Sequence, residues 1–150
     1  MTAGELFLIA TYGVLPAWIL ILLAPGWTWT HRIVHSVLPP LLLGGLYIWL
    51  VSIGAFTDVP SEAGFGSLAG VMAMFQSPSA VLAGWVHYLV FDLFVGAWIA
   101  RDAMRRNIGR IWVAPCLLGT LMLGPAGLLL YLLLRALLGR EWWALDEGTA

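Results

Sequence analysis

The stretch "GWVHYLVFDLFVG", residues 84–96, decides the fold class of this sequence. All but two of its residues suit a helix buried in lipid, and the exceptions are His87 and Asp92. The rest of the chain has the same character, being 61% hydrophobic and 10% charged, with a mean hydropathy of +0.93. Because a soluble domain of this length cannot bury so much apolar surface, the composition predicts an integral membrane protein.

Four apolar runs reach the roughly 20 residues that a transmembrane helix needs. We therefore predict an all-α, four-helix membrane bundle forming a single transmembrane domain over residues 1–150, with helices at about 4–24, 33–56, 79–100 and 111–138. The link between the second and third helices is long, at about 22 residues, and its segment "GFGSLAGVMAMFQSP" is apolar but too short to span. This segment predicts a short re-entrant or interfacial helix, acting either as an ordered cap or as a lid over a lipid-facing cavity.

Arginine placement predicts the orientation of the helices. Arg32 lies in the first link and four arginines lie in "RDAMRRNIGR" (101–110), whereas the second link has none. Basic links stay in the cytoplasm, so both termini should face the other side. On that orientation Glu5 and Arg135 lie near the outer surface, where they could pair, and Asp102 is a solvated partner of the cytoplasmic arginines.

His87 and Asp92 are five residues apart, which places them about 140° apart on a helix. Neither of their faces should meet lipid, so the third helix is predicted to be the most buried. If that helix starts near residue 79, His87 lies roughly 12 Å and Asp92 roughly 20 Å into the membrane. An ionised carboxylate at that depth is costly unless it is paired. Asp92 is thus predicted to be neutral or hydrogen-bonded, with Thr11, Tyr12 and Thr120 at comparable depth.

Two interpretations of these residues stay open at this point. Interhelical hydrogen bonds would hold the bundle together, each contributing about 0.6–2 kcal/mol, whereas ionisable groups inside membranes commonly mark function. The Gly124-Pro125 break in the fourth run is either a packing kink or part of a pocket that Asp92 faces, because proline removes one helical hydrogen bond. On the functional interpretation the catalytic candidates are Asp92 and His87, and the substrate-binding candidates are Trp85, Tyr88, Phe91, Gly96, Trp98, Gly124, Pro125 and Tyr131.

Other classes of site have little support in the sequence. The single Cys116 cannot form an internal disulfide, and a net charge of −1 gives no indication of nucleic-acid binding. His31 and His35 lie near the inner surface, far in depth from His87, which argues against a metal site or a haem held by two histidines. We expect no metal and no cofactor.

Three stretches resemble one family of small membrane proteins: "GFGSLAGV" (64–71), "WVHYLVFDLFVGAWIARD" (85–102) and "PCLLGTLMLGPAGLLLYLLLR" (115–135). They are similar to the abscisic-acid-deficient-four-like family, which contains the plant neoxanthin synthase, and the His-x4-Asp-Leu and Gly-Pro-x-Gly elements carry the likeness. The resemblance implies a four-helix protein that acts on carotenoids. Without a transit peptide the chain looks like a bacterial member, which implies the inner (cytoplasmic) membrane.

The resemblance also implies a reaction, the conversion of a carotenoid 5,6-epoxide to an allenic alcohol. This redox-neutral isomerisation needs an acid for the epoxide oxygen and a base for the C7 proton, for which Asp92 and His87 are the candidates. Two alternatives stay open: a non-catalytic carotenoid- or lipid-binding protein, including a subunit of a pigment complex, and a small proton-coupled transporter. The expected partners are the isoprenoid and the bilayer, with a homo-oligomer left open.

Overall fold

A computed structural model describes residues 1–138 and residue 145 of the chain. In this part of the chain the secondary structure is helical, with no strand. The helices are α1 (Ala3–Gly13), α2 (Leu15–Leu23), α3 (Thr28–Ile33), α4 (Leu38–Ser52), α5 (Leu68–Met74), α6 (Pro78–Arg105), α7 (Arg110–Leu123) and α8 (Pro125–Leu137). The prediction of an all-α protein is confirmed.

Within residues 1–138, three helical segments are long and apolar enough to cross a membrane: Ala3–Leu23, Thr28–Ser52 and Pro78–Arg105. In the most apolar window of α6, 44% of the residues are buried, against 22% and 11% in the other two segments. Of these three segments α6 is therefore the most buried, as predicted for the helix that carries His87 and Asp92.

Local chemistry explains several helix ends. The Thr2 hydroxyl accepts a hydrogen bond from the Glu5 amide, and the Glu5 carboxylate accepts one from the Thr2 amide, so the two residues cap α1 reciprocally. α4 ends just before Gly54, whose φ of 98° is a left-handed conformation that favours glycine. Pro78 begins α6, where the amide hydrogen that proline lacks would have had no helical partner.

The chain divides into two compact units, and the long helix α6 contributes residues to both. The first unit comprises Met1–Val14 and Pro39–Val90, and thus α1, most of α4, α5 and the first part of α6. Its buried core is built largely of small and branched side chains: Ala10, Leu50, Ala73, Met74, Ala80, Leu82, Ala83, Val86 and Leu89. α5 supplies the short helix predicted between α4 and α6.

The second unit comprises Leu15–Leu38 and the described residues from Phe91 onward. Here the structure corrects the prediction of one helix over 111–138. α7 and α8 lie side by side as a helical hairpin that turns at Gly124, whose φ is 51°. In one straight helix Cys116 and Gly127 would be about 16 Å apart, but a Cβ on Gly127 would overlap backbone atoms of Cys116 and Thr120. The Gly124-Pro125 break is therefore a reversal of direction and not a kink.

Close backbone contact stabilises this hairpin. Gly119 and Gly127 face each other so closely that a Cβ on Gly119 would lie 3.1 Å from the Gly127 Cα. Small residues of this kind let membrane helices approach until their backbones touch. At 1.5 Å per residue, α7 and α8 are each about 20 Å long, too short to cross a hydrocarbon core of roughly 30 Å.

Candidate functional site

Asp92 lies near the middle of α6, against the turn of the α7–α8 hairpin. The Asp92 side chain is buried, with a relative exposure of 9%. A Cβ on Gly124 would lie 2.7 Å from Asp92 Oδ1, so only glycine lets the turn approach the carboxyl group this closely. The structure thus brings Asp92 and Gly124 together and buries the carboxyl group among apolar helices. A pocket between them stays a prediction.

The face of α6 beyond Asp92 is covered by protein. The Trp18 indole of α2 lies over Gly96, where a Cβ would be 2.6 Å from Trp18 Cη2. Trp18 is itself only 2% exposed, so the space above Gly96 is filled by a side chain. Thr120, predicted as a hydrogen-bond donor at the depth of Asp92, donates to the Cys116 carbonyl of its own helix at 2.9 Å.

The structure overturns the predicted surroundings of Asp102 and Arg135. Asp102 is completely buried and not solvated. Its carboxylate accepts hydrogen bonds from Arg105 at 3.0 Å, from Arg106 at 3.0 Å and from the Tyr131 hydroxyl at 2.6 Å. Arg135, also fully buried, lies 3.3 Å from the same carboxylate. Arg135 therefore pairs with Asp102, whereas Glu5 caps α1.

The hairpin explains why this buried network was missed. With one helix over 111–138, Arg135 would reach the outer surface, but α8 returns along α6 from the level of Asp92 to that of Asp102. One signal for the network was present in the sequence. Arg135 stands in an otherwise apolar helix, one turn after Tyr131, and a charge in such a helix is costly without a partner. Because a buried charge needs a partner of opposite charge, Arg135 indicated a buried carboxylate near it.

An apolar groove lies between α6 and α8, beside this network. The groove has a volume of about 220 Å³, and its lining is apolar: Phe94, Val95, Trp98, Leu128, Leu132 and Leu145. The Trp98 ring meets the Tyr131 ring edge to face at 5.8 Å, and the Arg135 guanidinium lies 5.9 Å from the Trp98 ring centroid. Trp98 and Tyr131, both predicted to contact substrate, thus join an apolar groove to a buried charged cluster.

In the first unit, Trp85 and Tyr88 form an aromatic cluster near the middle of α6. Their rings stack at 5.3 Å, Phe7 of α1 lies 5.2 Å from Trp85, and Trp85 Nε1 donates to the Thr11 hydroxyl at 2.8 Å. Both predicted site residues are half-buried. The cluster fixes α1 to α6 within this unit.

His87 does not have the environment that the sequence predicts. Its side chain is exposed, with the Tyr47 ring 5.8 Å away, and Phe91 is 54% exposed. The prediction that protein covers both polar faces of the helix is therefore wrong for His87 and holds for Asp92. The reason is that α4 contacts the imidazole with one aromatic ring and does not cover it. Pro125, at the start of α8, is exposed as well.

Within residues 1–138, no group of three or more His, Cys, Asp or Glu side chains is placed to hold a metal ion. Two histidines do lie close together, since the rings of His31 and His35 are 5.1 Å apart. His35 Nδ1 lies 3.5 Å from an Arg101 nitrogen, and its Nε2 lies 3.3 Å from the Pro25 carbonyl. These contacts join the first basic link to the end of α6.

Comparison with known proteins adds one family. A model described as ABA DEFICIENT 4-like matches residues 5–131. The chain is also similar to the protein ABA DEFICIENT 4, chloroplastic, of Arabidopsis thaliana, with 29% identity over 147 residues, covering 93% of this chain. It spans 64% of that relative's length. No solved structure matches.

Proposed function

The chain belongs to the ABA DEFICIENT 4-like family, and on this basis we propose that it is a membrane protein that isomerises a carotenoid or related isoprenoid. The proposed reaction opens a 5,6-epoxide to an allenic alcohol. The C6–O and C7–H bonds break, the C6–C7 double bond and an O–H bond form, and no electrons are gained or lost overall. The chemistry therefore needs one proton donor and one proton acceptor.

Asp92 is the proposed proton donor, and its environment is the observation that carries the proposal. The carboxyl group is buried in an apolar helix against the Gly124 turn. A general acid must hold its proton before it meets the substrate, and this is the state proposed for Asp92. A protonated carboxyl group at this position would give its proton to the epoxide oxygen.

His87 is the proposed base, and its exposure has a consequence for access. A lipid-soluble substrate approaches from the bilayer, so an imidazole on the outer surface of the helices is within its reach. Tyr47, at 5.8 Å between ring centroids, offers an aromatic face beside the imidazole. Asp92 and His87 lie about 140° apart around α6, one buried and the other exposed, so each role is a separate proposal that its own variant tests.

A binding protein without catalysis is the second candidate function, and the groove between α6 and α8 favours it. Phe94, Trp98 and Leu132 give that groove an entirely apolar lining, which suits a polyene or another hydrocarbon chain. Ligand pockets are commonly lined by apolar side chains. The polar groups of Tyr131 and Arg135 lie next to Trp98 but are fully buried and do not line the groove.

The experiment that tests carotenoid handling is an absorption spectrum of the protein purified from its native host. We expect the visible bands of a bound carotenoid, retained through size-exclusion chromatography. The variant Trp98→Ala should lower the pigment content several-fold, because it removes the largest side chain of the groove, whereas Trp29→Ala, at an exposed position outside it, should not. A colourless protein, even after incubation with carotenoid vesicles, would count against both candidate functions.

The hairpin also changes the proposed topology. Arg135 near the end of α8 contacts Asp102 near the end of α6, and His35 lies beside Arg101. We propose that α7 and α8 enter the membrane from the basic, cytoplasmic side and return to it, so that Leu137 lies on that side and not opposite it. The non-cytoplasmic N-terminus and the bacterial inner membrane stay predictions, and most of the C-terminal tail lies outside the described residues.

Cysteine labelling tests this topology in a Cys116→Ser background. Cysteines at Asn107 and Leu138, before α7 and after α8, should react with a membrane-impermeant reagent from the same side. A cysteine at Gln76, before α6, should react from the opposite side and serves as the control. Labelling of positions 107 and 138 from opposite sides would show that residues 111–138 span the membrane.

A further inference from the structure

A second cavity, of about 200 Å³, lies in the first unit where α1 begins, α4 ends and α6 begins. Its wall has two kinds of lining. Trp49, Leu50 and Leu82 are among its apolar side chains, and Thr57, Asp58 and Ser79 are its polar ones. The groove between α6 and α8 has no such polar side. This cavity therefore suits a ligand group that is partly hydrocarbon and partly oxygenated.

A defined turn after α4 places Asp58 at the cavity. The carbonyl of Gly54 accepts hydrogen bonds from the Thr57 amide at 2.9 Å and from the Thr57 hydroxyl at 2.7 Å. Gly54 has a positive φ, and a Cβ there would lie 2.7 Å from Thr57 Oγ1. Position 54 therefore favours glycine for two reasons: its backbone conformation is left-handed, and a Cβ would collide with the Thr57 side chain.

Apart from the Thr57 hydroxyl, which donates to Gly54, the polar side chains of the cavity wall are available to a ligand. Across residues 1–138 no hydrogen bond or ion pair engages the Asp58 carboxylate, the Ser79 hydroxyl or the Trp49 indole N–H. The carboxylate can accept a hydrogen bond from an alcohol, and the hydroxyl and indole can donate to an oxygen atom.

The size and position of the cavity restrict the ligand further. A cavity of about 150 Å³ holds a benzene molecule, so this one is large enough for a six-membered ring with a few substituents. A hydroxylated end group of an isoprenoid is less costly near a membrane surface than in the hydrocarbon core. Helix ends, where this cavity lies, are the elements expected at such a surface.

We propose that this cavity is the subsite for an oxygen-bearing six-membered ring at one end of the isoprenoid, an inference that rests on the proposed function. Asp58 accepts a hydrogen bond from a ring hydroxyl, and Ser79 or Trp49 donates to a ring oxygen. The indole and leucine side chains contact the ring carbons. The subsite thereby selects oxygenated carotenoids over hydrocarbon ones.

Binding of two carotenoids to the purified protein in lipid nanodiscs tests the subsite: β,β-carotene and its 3,3′-dihydroxy derivative. We expect the wild type to bind the dihydroxy compound about tenfold more tightly, since one hydrogen bond to a charged group corresponds to about that factor or more. Asp58→Asn and Ser79→Ala should each reduce this preference, and Ser79→Phe, which fills the cavity, should abolish it. Glu62→Gln, in the same link, is the matched control.

The outcomes separate this inference from the function on which it rests. Equal affinity of the wild type for both carotenoids, or a preference that Asp58→Asn leaves unchanged, would overturn the subsite while leaving carotenoid binding intact. Binding of neither carotenoid would overturn both proposals. Because Asp58 is exposed, its variant should fold, and an unchanged melting temperature would verify this.

Discussion

Replacing Asp92 by Asn should lower the conversion of a carotenoid 5,6-epoxide by about 10²–10⁴-fold, the range that a positioned general acid contributes. Asparagine keeps the shape of the side chain and can still form hydrogen bonds, but it cannot transfer a proton. The contact with Gly124 should persist, so the melting temperature should stay close to that of the wild type. Conversion is measured by chromatography of extracted pigments.

Two further variants make this result specific. Glu62→Gln removes an exposed carboxylate from the link before α6 and should convert substrate at the wild-type rate. His87→Gln tests the proposed base in the same assay and should also lose conversion. Full activity of both Asp92→Asn and His87→Gln would refute the acid–base proposal, and Asp92 would then be a packing and hydrogen-bonding residue of the hairpin.

Gly127→Ala should destabilise the protein by about 3 kcal/mol or more, at the upper end of the cost of overpacking a core. A methyl group at this position would overlap backbone atoms of Thr120 and Cys116, which cannot move aside as a flexible side chain would. The helices of the hairpin would have to separate. Unfolding in mixed micelles, followed by circular dichroism, measures the change.

Gly45→Ala is the matched control for this variant. Gly45 lies in α4 with no atom near its missing Cβ, so alanine should leave stability unchanged or raise it slightly through better helix propensity. If Gly127→Ala and Gly45→Ala unfold alike, α7 and α8 do not pack through this glycine, and the hairpin is wrong.

The sequence predicted those parts of the fold that follow from composition. Helix α6 was predicted at about 79–100 and extends over Pro78–Arg105, because an apolar run after a proline is a local signal. Within its additional last turn, Asp102 accepts hydrogen bonds from Arg105 and Arg106. Burial of Asp102 arises from contacts with α8, which no local pattern reveals.

The hairpin could not be derived from hydrophobicity alone. Residues 111–138 have the length and composition of one spanning helix, and the Gly124-Pro125 pair is compatible with either a kink or a reversal. What decides between them is contact between Gly127 and backbone atoms several residues earlier. The glycines at 119, 124 and 127 are compatible with close approach of either another backbone or a flat ligand, and the sequence does not tell which.

The candidate site was predicted only in part, because local sequence patterns do not show which helices contact each other. Burial of Asp92 followed from the cost of a carboxyl group in an apolar helix. The exposure of His87 did not, because it depends on how far α4 covers α6 in the first unit. The Asp102–Arg135 pair required the hairpin, and the cavity beside Asp58 required the turn at Gly54.

Isomerisation by this protein is tested by product analysis with the purified protein in lipid, supplied with a carotenoid 5,6-epoxide and no cofactor. We expect a product of the same mass as the substrate, carrying an allene and a new tertiary hydroxyl group, whose formation Asp92→Asn abolishes. Recovery of the epoxide unchanged from pigment-binding, folded protein, or a product of different mass, would contradict it.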